Sequence, residues 1–314
     1  MKNRKYLKIG AVVLLSVILL VTAVLTSYAS NNAYGELKML MREYRAERVE
    51  IDSMTLHMEM DITDNGENVL RFTGDIKTAD DKKNKSGQFQ VTKQGVENVF
   101  EVYSKNDTVL FHLNGSENWY QTTSAENCSY DEDQFSRRRG TEDMNDNQQL
   151  QESLMDAIMG DLKDQIALVE SNGLRTFSLT LDKSNMPVLV QTLFSIAEFR
   201  DDTRHQDDAV MLNLPEELQD EIGGMMDCED LAEITSNRVL EVINISLSVD
   251  EKNQPKNIDL SMRFSGTAKD GTAHVIEVDC SVALSNINTT VPDEVNVDPS
   301  SITIIETEQF ENCR

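Results

Sequence analysis

The four histidines are the side chains best suited to acid–base or metal chemistry, and their spacing argues against both. They stand at His57, His112, His205 and His274, and none has another histidine or a cysteine three or four residues away. The strand pattern around His57 places it on a polar face, and His274 opens a strand in the apolar register. A surface histidine and a partly buried histidine are the expected roles, and no metal site is predicted.

Sequence motifs that carry catalysis are missing as well. The chain has no G-x-S-x-G, S-x-x-K or H-E-x-x-H motif and no phosphate-binding glycine loop. Residues 61–66 resemble the start of a calcium loop, but Ile62 and Thr63 interrupt it and Phe72 stands where a bidentate Glu belongs. We therefore expect that the protein is not an enzyme and has no cofactor.

The cysteines allow disulfide bonds without fixing them. Cys128, Cys228, Cys280 and Cys313 are an even number, and three pairings are open. Cys280 falls on the apolar side of a strand and is expected as a small buried hydrophobe. The other three stand in polar surroundings and are the better candidates for a bridge.

The N-terminal segment has the pattern of an export signal. Four basic residues precede an uninterrupted apolar run at residues 9–26, so the remainder is expected outside the cytoplasm. Small residues allow a cut after Ala29, whereas the run is longer than a usual signal core. A cleaved signal peptide and an uncleaved anchor at residues 1–29 both stay open. The expected location is the bacterial cell membrane, with a single pass and an extracytoplasmic C-terminal domain, or secretion if the segment is cut.

The charge balance excludes one class of partner. The chain has 29 basic and 55 acidic residues, for a net charge of −26. Nucleic acid needs a basic surface, so it is excluded as a partner. A solvated acidic surface is expected rather than specific cation binding.

Residues 239–285 predict three consecutive antiparallel strands, because apolar and polar residues alternate with a period of two. In the first strand the apolar positions begin at Val239 and Glu241 interrupts them. Asp270-Gly271 supplies a tight hairpin turn between the other two. The apolar positions of those two strands are Ile258, Leu260, Met262, Phe264, Ile276, Val278, Cys280, Val282 and Leu284.

The rest of the chain predicts a second meander and a helical centre. Residues 53–121 alternate in the same way, with an Asn65-Gly66 hairpin turn, and residues 33–51 predict an amphipathic helix that leans on the sheet. Helices are predicted at residues 149–170 and 186–199, with a strand around Phe177 between them. The helices would cover the apolar face of the sheet.

Methionine is abundant, with 14 residues. Several stand at apolar strand positions, among them Met58 and Met262. Flexible, polarizable side chains suit a cavity for irregular apolar ligands, although filling a core is the reading that composition alone favours.

The order of these elements resembles that of the LolA-like lipoprotein-carrier superfamily, which includes LolA, LolB, LprG and LppX. It also resembles a set of Gram-positive envelope proteins with the same layout. The segments that carry the resemblance are residues 70–75, 119–120 and 264–271. The resemblance implies an α+β fold, in which a strongly curved antiparallel sheet, or half-barrel, is covered by central helices and preceded by an N-terminal membrane segment. It implies that acyl chains bind between sheet and helices, in contact with Leu56, Met58, Phe72, Leu189, Leu193, Phe194, Leu260, Met262, Phe264, Ile276 and Val278. No cysteine directly follows the apolar run at residues 9–26, unlike in lipidated carriers.

The expected organisation is a juxtamembrane helix at residues 30–52, a half-barrel domain at 53–298 and a C-terminal tail at 299–314. Within the domain we expect an acidic loop at 122–147 and a helical lid at 148–200. The expected function is noncatalytic binding of a lipid or other hydrophobic small molecule by a monomer held at the cytoplasmic membrane. The alternative is an envelope interaction or sensory ectodomain with a self-filled core.

Overall fold

A computed structural model describes most of the extracytoplasmic part predicted from the sequence. The residues described are 33–46, 51–79, 84–105, 108–114, 116, 118–123, 160–197, 231–232 and 234–305. The predicted membrane segment at 1–29, nearly all of the acidic loop, the first part of the helix at 149–170 and residues 306–314 lie outside them. In the described part no helix has the length and apolar character needed to cross a membrane.

Twelve strands and two α-helices make up the described structure. The elements in chain order are α1 (Ala33–Ala46), β1 (Met54–Asp64), β2 (Glu67–Ala79), β3 (Asn84–Lys93), β4 (Val96–Lys105), β5 (Thr108–Leu113), β6 (Trp119–Thr123), β7 (Ala167–Ser171), β8 (Leu174–Asp182), α2 (Val188–Ala197), β9 (Ile234–Asp250), β10 (Pro255–Ala268), β11 (Ala273–Ser285) and β12 (Ile302–Ile304). Two 3-10 helices, Gly160–Gln165 and Pro299–Ser301, precede β7 and β12.

All twelve strands belong to one sheet. Their spatial order is β12-β6-β5-β4-β3-β2-β1-β11-β10-β9-β8-β7, and every neighbouring pair is antiparallel except β12 and β6. The pairing of β1 with β11 joins the two meanders, with Met60 opposite Cys280. The two predicted meanders are confirmed, and they are two halves of a single sheet.

The strand register sorts the side chains into an inner, apolar face and an outer, polar face. Directly opposite residues share a face, and Met60 lies opposite both Cys280 and Phe72 on its neighbouring strands. The same register carries the inner face from β8 across to β5. The outer face shows the intervening positions, among them Glu59, Asp61, Ser246, Asp259, Ser261, Asp279 and Ser281.

A β-bulge corrects the predicted face of one residue. Val242 pairs with Arg263 while Leu240 pairs with Phe264, so Glu241 is the extra residue of the bulge. The bulge shifts the alternation by one position. Leu240 is therefore buried and Val239 is 41% exposed, whereas the uninterrupted alternation had placed Val239 on the apolar face.

The prediction that central helices cover the sheet is wrong. The described part is a large, predominantly antiparallel sheet with two short α-helices, and only α2 comes from the centre of the chain. Residues 160–170, predicted as helix and lid, form a 3-10 helix and most of β7. The cause is the pair Asn172 and Gly173, whose positive φ angles close a hairpin from β7 into β8. The helix predicted at 186–199 is confirmed over α2.

The N-terminal helix supplies much of the cover that the central region lacks. Tyr34, Leu37 and Leu40 of α1 are 1–4% exposed and share a core cluster with residues of β8, β9 and β10. Glu36 of the same helix lies 3.5 Å from the guanidinium of Arg175 on β8. The prediction of an amphipathic helix packed on the sheet is therefore confirmed.

The segment after β11 returns along the sheet to its far edge. Thr290 donates its backbone N–H to Ser53, Asp293 pairs with Lys77 at 2.8 Å, and Glu294 pairs with Lys105. The chain then adds β12 to β6, and Ile305 is buried there. The start of the predicted tail at 299–314 is thus part of the sheet.

Candidate functional site

Three core clusters lie on the inner face. The first joins α1 and α2 to β8, β9 and β10, and the second joins β1, β2, β3 and β11 to Leu231 and Ile234. The third is small and packs Ile305 on Phe111 and Leu113 of β5. Partly buried residues link the clusters: Phe264 and Val278 pack against the first and second, and Phe100 packs against the second and third.

A band of apolar side chains lies on the inner face but belongs to none of these clusters. We call this band the open strip. Each of its residues is partly exposed, and it crosses five neighbouring strands from β10 to β3. Its residues are Met54, Leu56 and Met58 of β1, Ile76 of β2, Phe89 of β3, Ile258 of β10, and Val282 and Leu284 of β11.

Two glycines leave room for an aromatic ring at one end of the open strip. Gly74 and Gly87 lie on the inner face beside Phe89, and a Cβ atom at either position would stand 2.5 or 2.8 Å from the Phe89 ring. The ring therefore occupies the space that two side chains would fill. It stacks on Phe100 with ring centroids 4.6 Å apart and meets Phe72 at 5.7 Å. The result is a preformed aromatic floor.

The sheet residues of the predicted binding site share the inner face, but they divide into three groups. Leu56 and Met58 belong to the open strip. Leu260, Met262 and Ile276 are 1–6% exposed inside the core clusters, where they contact neighbouring protein side chains. Phe72, Phe264 and Val278 are partly buried against the cores.

Of the three ligand contacts predicted on the helix that is now α2, the structure describes the side chain of one. Phe194 of α2 meets Phe264 of β10 at a ring distance of 5.6 Å. The backbone positions of Leu189 and Leu193 belong to α2, and their side chains lie outside the described part.

Several residues of the open strip were missed as site residues from the sequence. Ile258, Val282 and Leu284 had been assigned to the apolar face, but nothing in the alternation distinguishes them from the buried residues of the same strands. Phe89 offered a signal, because a glycine precedes it by two positions and so shares its face. That spacing is typical of an aromatic ring that lies across a glycine.

The outer face contains a shallow groove of about 310 Å³ across β8, β9, β10, β11 and β1. Hydroxyl groups and four carboxylates line it, from Glu59, Asp61, Asp259 and Asp279. Asp259 accepts hydrogen bonds from Ser246 and Ser281, and Asp61 accepts one from Arg71. Among the residues that the structure covers, no group of three or more His, Cys, Asp and Glu side chains is arranged to hold a metal ion.

Cys280 and His274 occupy ordinary structural positions. Cys280 is a free cysteine on the inner face, and burial raises the pKa of its thiol. His274 lies 2.8 Å from a carboxylate oxygen of Asp64, where the β1–β2 and β10–β11 hairpins meet. Neither arrangement supplies a nucleophile with an adjacent base.

His57 stands between two carboxylates on the outer face. Its Nε2 lies 3.1 Å from Glu59 and its Nδ1 lies 3.0 Å from Asp75. The hydrogen bonds to Glu59 and then to Asp75 raise the pKa of the imidazole above its ordinary value of 6.5. Both contacts are satisfied together only when both ring nitrogens carry a proton.

We expect His57→Gln to destabilise the protein by roughly 0.3 kcal/mol at pH 5 and by nothing measurable at pH 9. The effect is small because His57 and its two carboxylate partners are largely exposed. With a raised folded-state pKa, the stabilisation is fully present below pH 6.5 and is lost as pH rises through the folded-state value. Urea unfolding across this range measures the difference. In a Glu59→Gln/Asp75→Asn background, the effect of His57→Gln on the free energy of unfolding should no longer depend on pH. A destabilisation by His57→Gln that grows as pH rises would contradict the assignment.

Comparisons with known structures include two of low similarity. No family model and no curated protein matches the chain. A LolA superfamily protein from Nitrosomonas europaea is 7% identical with a TM-score of 0.21, over 82% of this chain and 94% of that chain. An N-terminal dehydratase from the difficidin assembly line is 9% identical with a TM-score of 0.11, over 79% and 84%. At these TM-scores neither likeness assigns a fold or a family.

Proposed function

We propose that this protein is an extracytoplasmic, membrane-anchored, noncatalytic protein that binds a lipid or another apolar molecule on the inner face of its sheet. The observation that carries the proposal is the open strip, whose eight apolar side chains are partly exposed between packed cores. Contiguous apolar surface of this kind marks ligand grooves and interaction sites. The membrane anchor rests on the basic residues and the apolar run at the N-terminus.

The chemistry of the strip favours an apolar ligand over a polar one. Its side chains are aliphatic, thioether or aromatic, and they offer no hydrogen-bond donor. Covering apolar surface contributes about 25 cal/mol per Å², so a long hydrocarbon chain could bind without a specific polar contact. The two methionines can adapt to an irregular chain.

The absence of a catalytic motif supports the noncatalytic part of the proposal. The three histidines that the structure describes, His57, His112 and His274, have structural partners. In the outer groove, two serines hold the Asp259 carboxylate and an arginine holds that of Asp61. The groove does not combine a nucleophile with a base and an oxyanion site.

The alternative is an envelope interaction or sensory ectodomain that fills its own core. One observation favours it: α2 and Leu231 both pack on the inner face, at the two ends of residues 198–230. The intervening residues include an apolar stretch near 209–214. In that case the strip would be covered by the chain itself and would take no ligand.

Lipid extraction separates the two. The full chain would be expressed in a bacterial host, purified, and extracted with organic solvent, and the extract and the native protein would be analysed by mass spectrometry. Binding predicts one co-purifying apolar molecule in stoichiometric amount. No such molecule, together with no rise in melting temperature on adding fatty acids or phospholipids, would leave the self-filled core as the working model.

A further inference from the structure

One end of the open strip borders a row of polar positions on the same inner face. Lys85 of β3 lies directly opposite Thr78 of β2 and Ser104 of β4, and it stands two positions from Gly87. This polar row therefore lies next to the end of the strip that contains Gly74 and Gly87. The register thus places the exposed Lys85 between two hydroxyl residues, the buried Thr78 and the partly buried Ser104.

Lys85 has no carboxylate partner among the residues that the structure describes, in a chain whose net charge is −26. The contrast with neighbouring lysines is direct. Lys256, two positions before Ile258, lies 3.1 Å from Asp250, and Lys77 is held by Asp293. The side chain of Lys85 is exposed, so its charge is accessible to a ligand on the inner face.

We propose that the open strip takes a long-chain fatty acid, with its carboxylate at Lys85 and its hydrocarbon chain across the strip toward Ile258. This inference rests on the proposed function and names the ligand of the same site. A carboxylate carries one negative charge and two acceptor oxygens, which suits one ammonium group and two hydroxyl donors.

The dimensions of the strip agree with this class of ligand. From β3 to β10 it crosses five strands, whose four spacings of about 4.8 Å give a width of roughly 19 Å. An extended chain of sixteen or so carbons is of comparable length. Its terminal methyl group would then lie near Ile258 and Val282, which face each other across β10 and β11.

The charge contact is tested by a pair of ligands that differ only at the head. Palmitate and hexadecanol would compete with a photoreactive palmitate analogue for cross-linking to the full chain. We expect palmitate to compete about threefold better, the size of an exposed charge contact. Lys85→Gln should remove this preference and leave hexadecanol unchanged, whereas Lys85→Arg should retain it.

The matched control is Lys269→Gln, which removes the same charge from the exposed β10–β11 turn at the opposite end of these strands. It should leave the preference intact. A palmitate preference that survives in Lys85→Gln, or a wild-type protein that binds both ligands equally, would overturn the carboxylate site. Stronger competition by a phospholipid would overturn the choice of a fatty acid. Failure of every hydrocarbon ligand to compete would instead contradict the proposed function itself.

Discussion

Replacing Ile276 by alanine is expected to lower the free energy of unfolding by about 3 kcal/mol, whereas alanine at the neighbouring Val275 should change it by less than about 0.5 kcal/mol. The two residues are consecutive on β11 and differ by which face they occupy. Ile276 is 1% exposed in the second core cluster, and Val275 is 36% exposed. Removing buried methyl groups loses their transfer free energy and leaves a cavity.

The measurement is equilibrium urea unfolding of both variants beside the wild-type protein. The comparison is matched because both changes leave alanine on the same strand. Similar losses for the two variants would mean that the faces of β11 are wrongly assigned. The face assigned to Phe264 would then be wrong as well, because Phe264 lies directly opposite Ile276 and shares its face.

Ligand affinity gives the same variant a second role. The sequence analysis predicted Ile276 as a ligand contact, whereas the structure places it inside the second core cluster. If the open strip is the binding surface, the Ile276→Ala protein should keep its affinity for palmitate while it loses stability. A loss of affinity in protein that is still folded would restore Ile276 to the site.

The faces of most strands were predictable because alternation is a local property. Leu260, Met262 and Phe264 share the inner face for the same reason that Asp259, Ser261 and Arg263 share the outer one. The exceptions are also local. A bulge at Glu241 shifts the pattern by one position. The Glu241 carboxylate accepts a hydrogen bond from Ser265 and pairs with Lys183, and these contacts lower its pKa.

What could not be predicted is which part of the apolar face is covered. Met60 and Met58 look equivalent in sequence, yet Met60 packs against the second core cluster and Met58 belongs to the open strip. The difference depends on contacts between residues far apart in sequence, such as those of Leu231 with β1, β2 and β3. β7 was missed for a different reason: its segment also fits a helical pattern, and the local Asn172-Gly173 turn that pairs it with β8 decides its conformation.

Replacing Leu284 by aspartate is expected to weaken palmitate binding roughly thirtyfold, about 2 kcal/mol, because a carboxylate covered by a hydrocarbon chain loses its hydration without gaining a partner. Leu284 lies opposite Leu56 in the open strip. The neighbouring Ser285 is exposed on the other face, so Ser285→Asp adds the same charge one position away and should leave affinity unchanged. Photo-cross-linking competition measures both affinities, and thermal unfolding shows that both proteins are folded. Equal affinities for the two variants would place the ligand elsewhere, whereas the expected difference would assign it to the inner face even before its chemical identity is known.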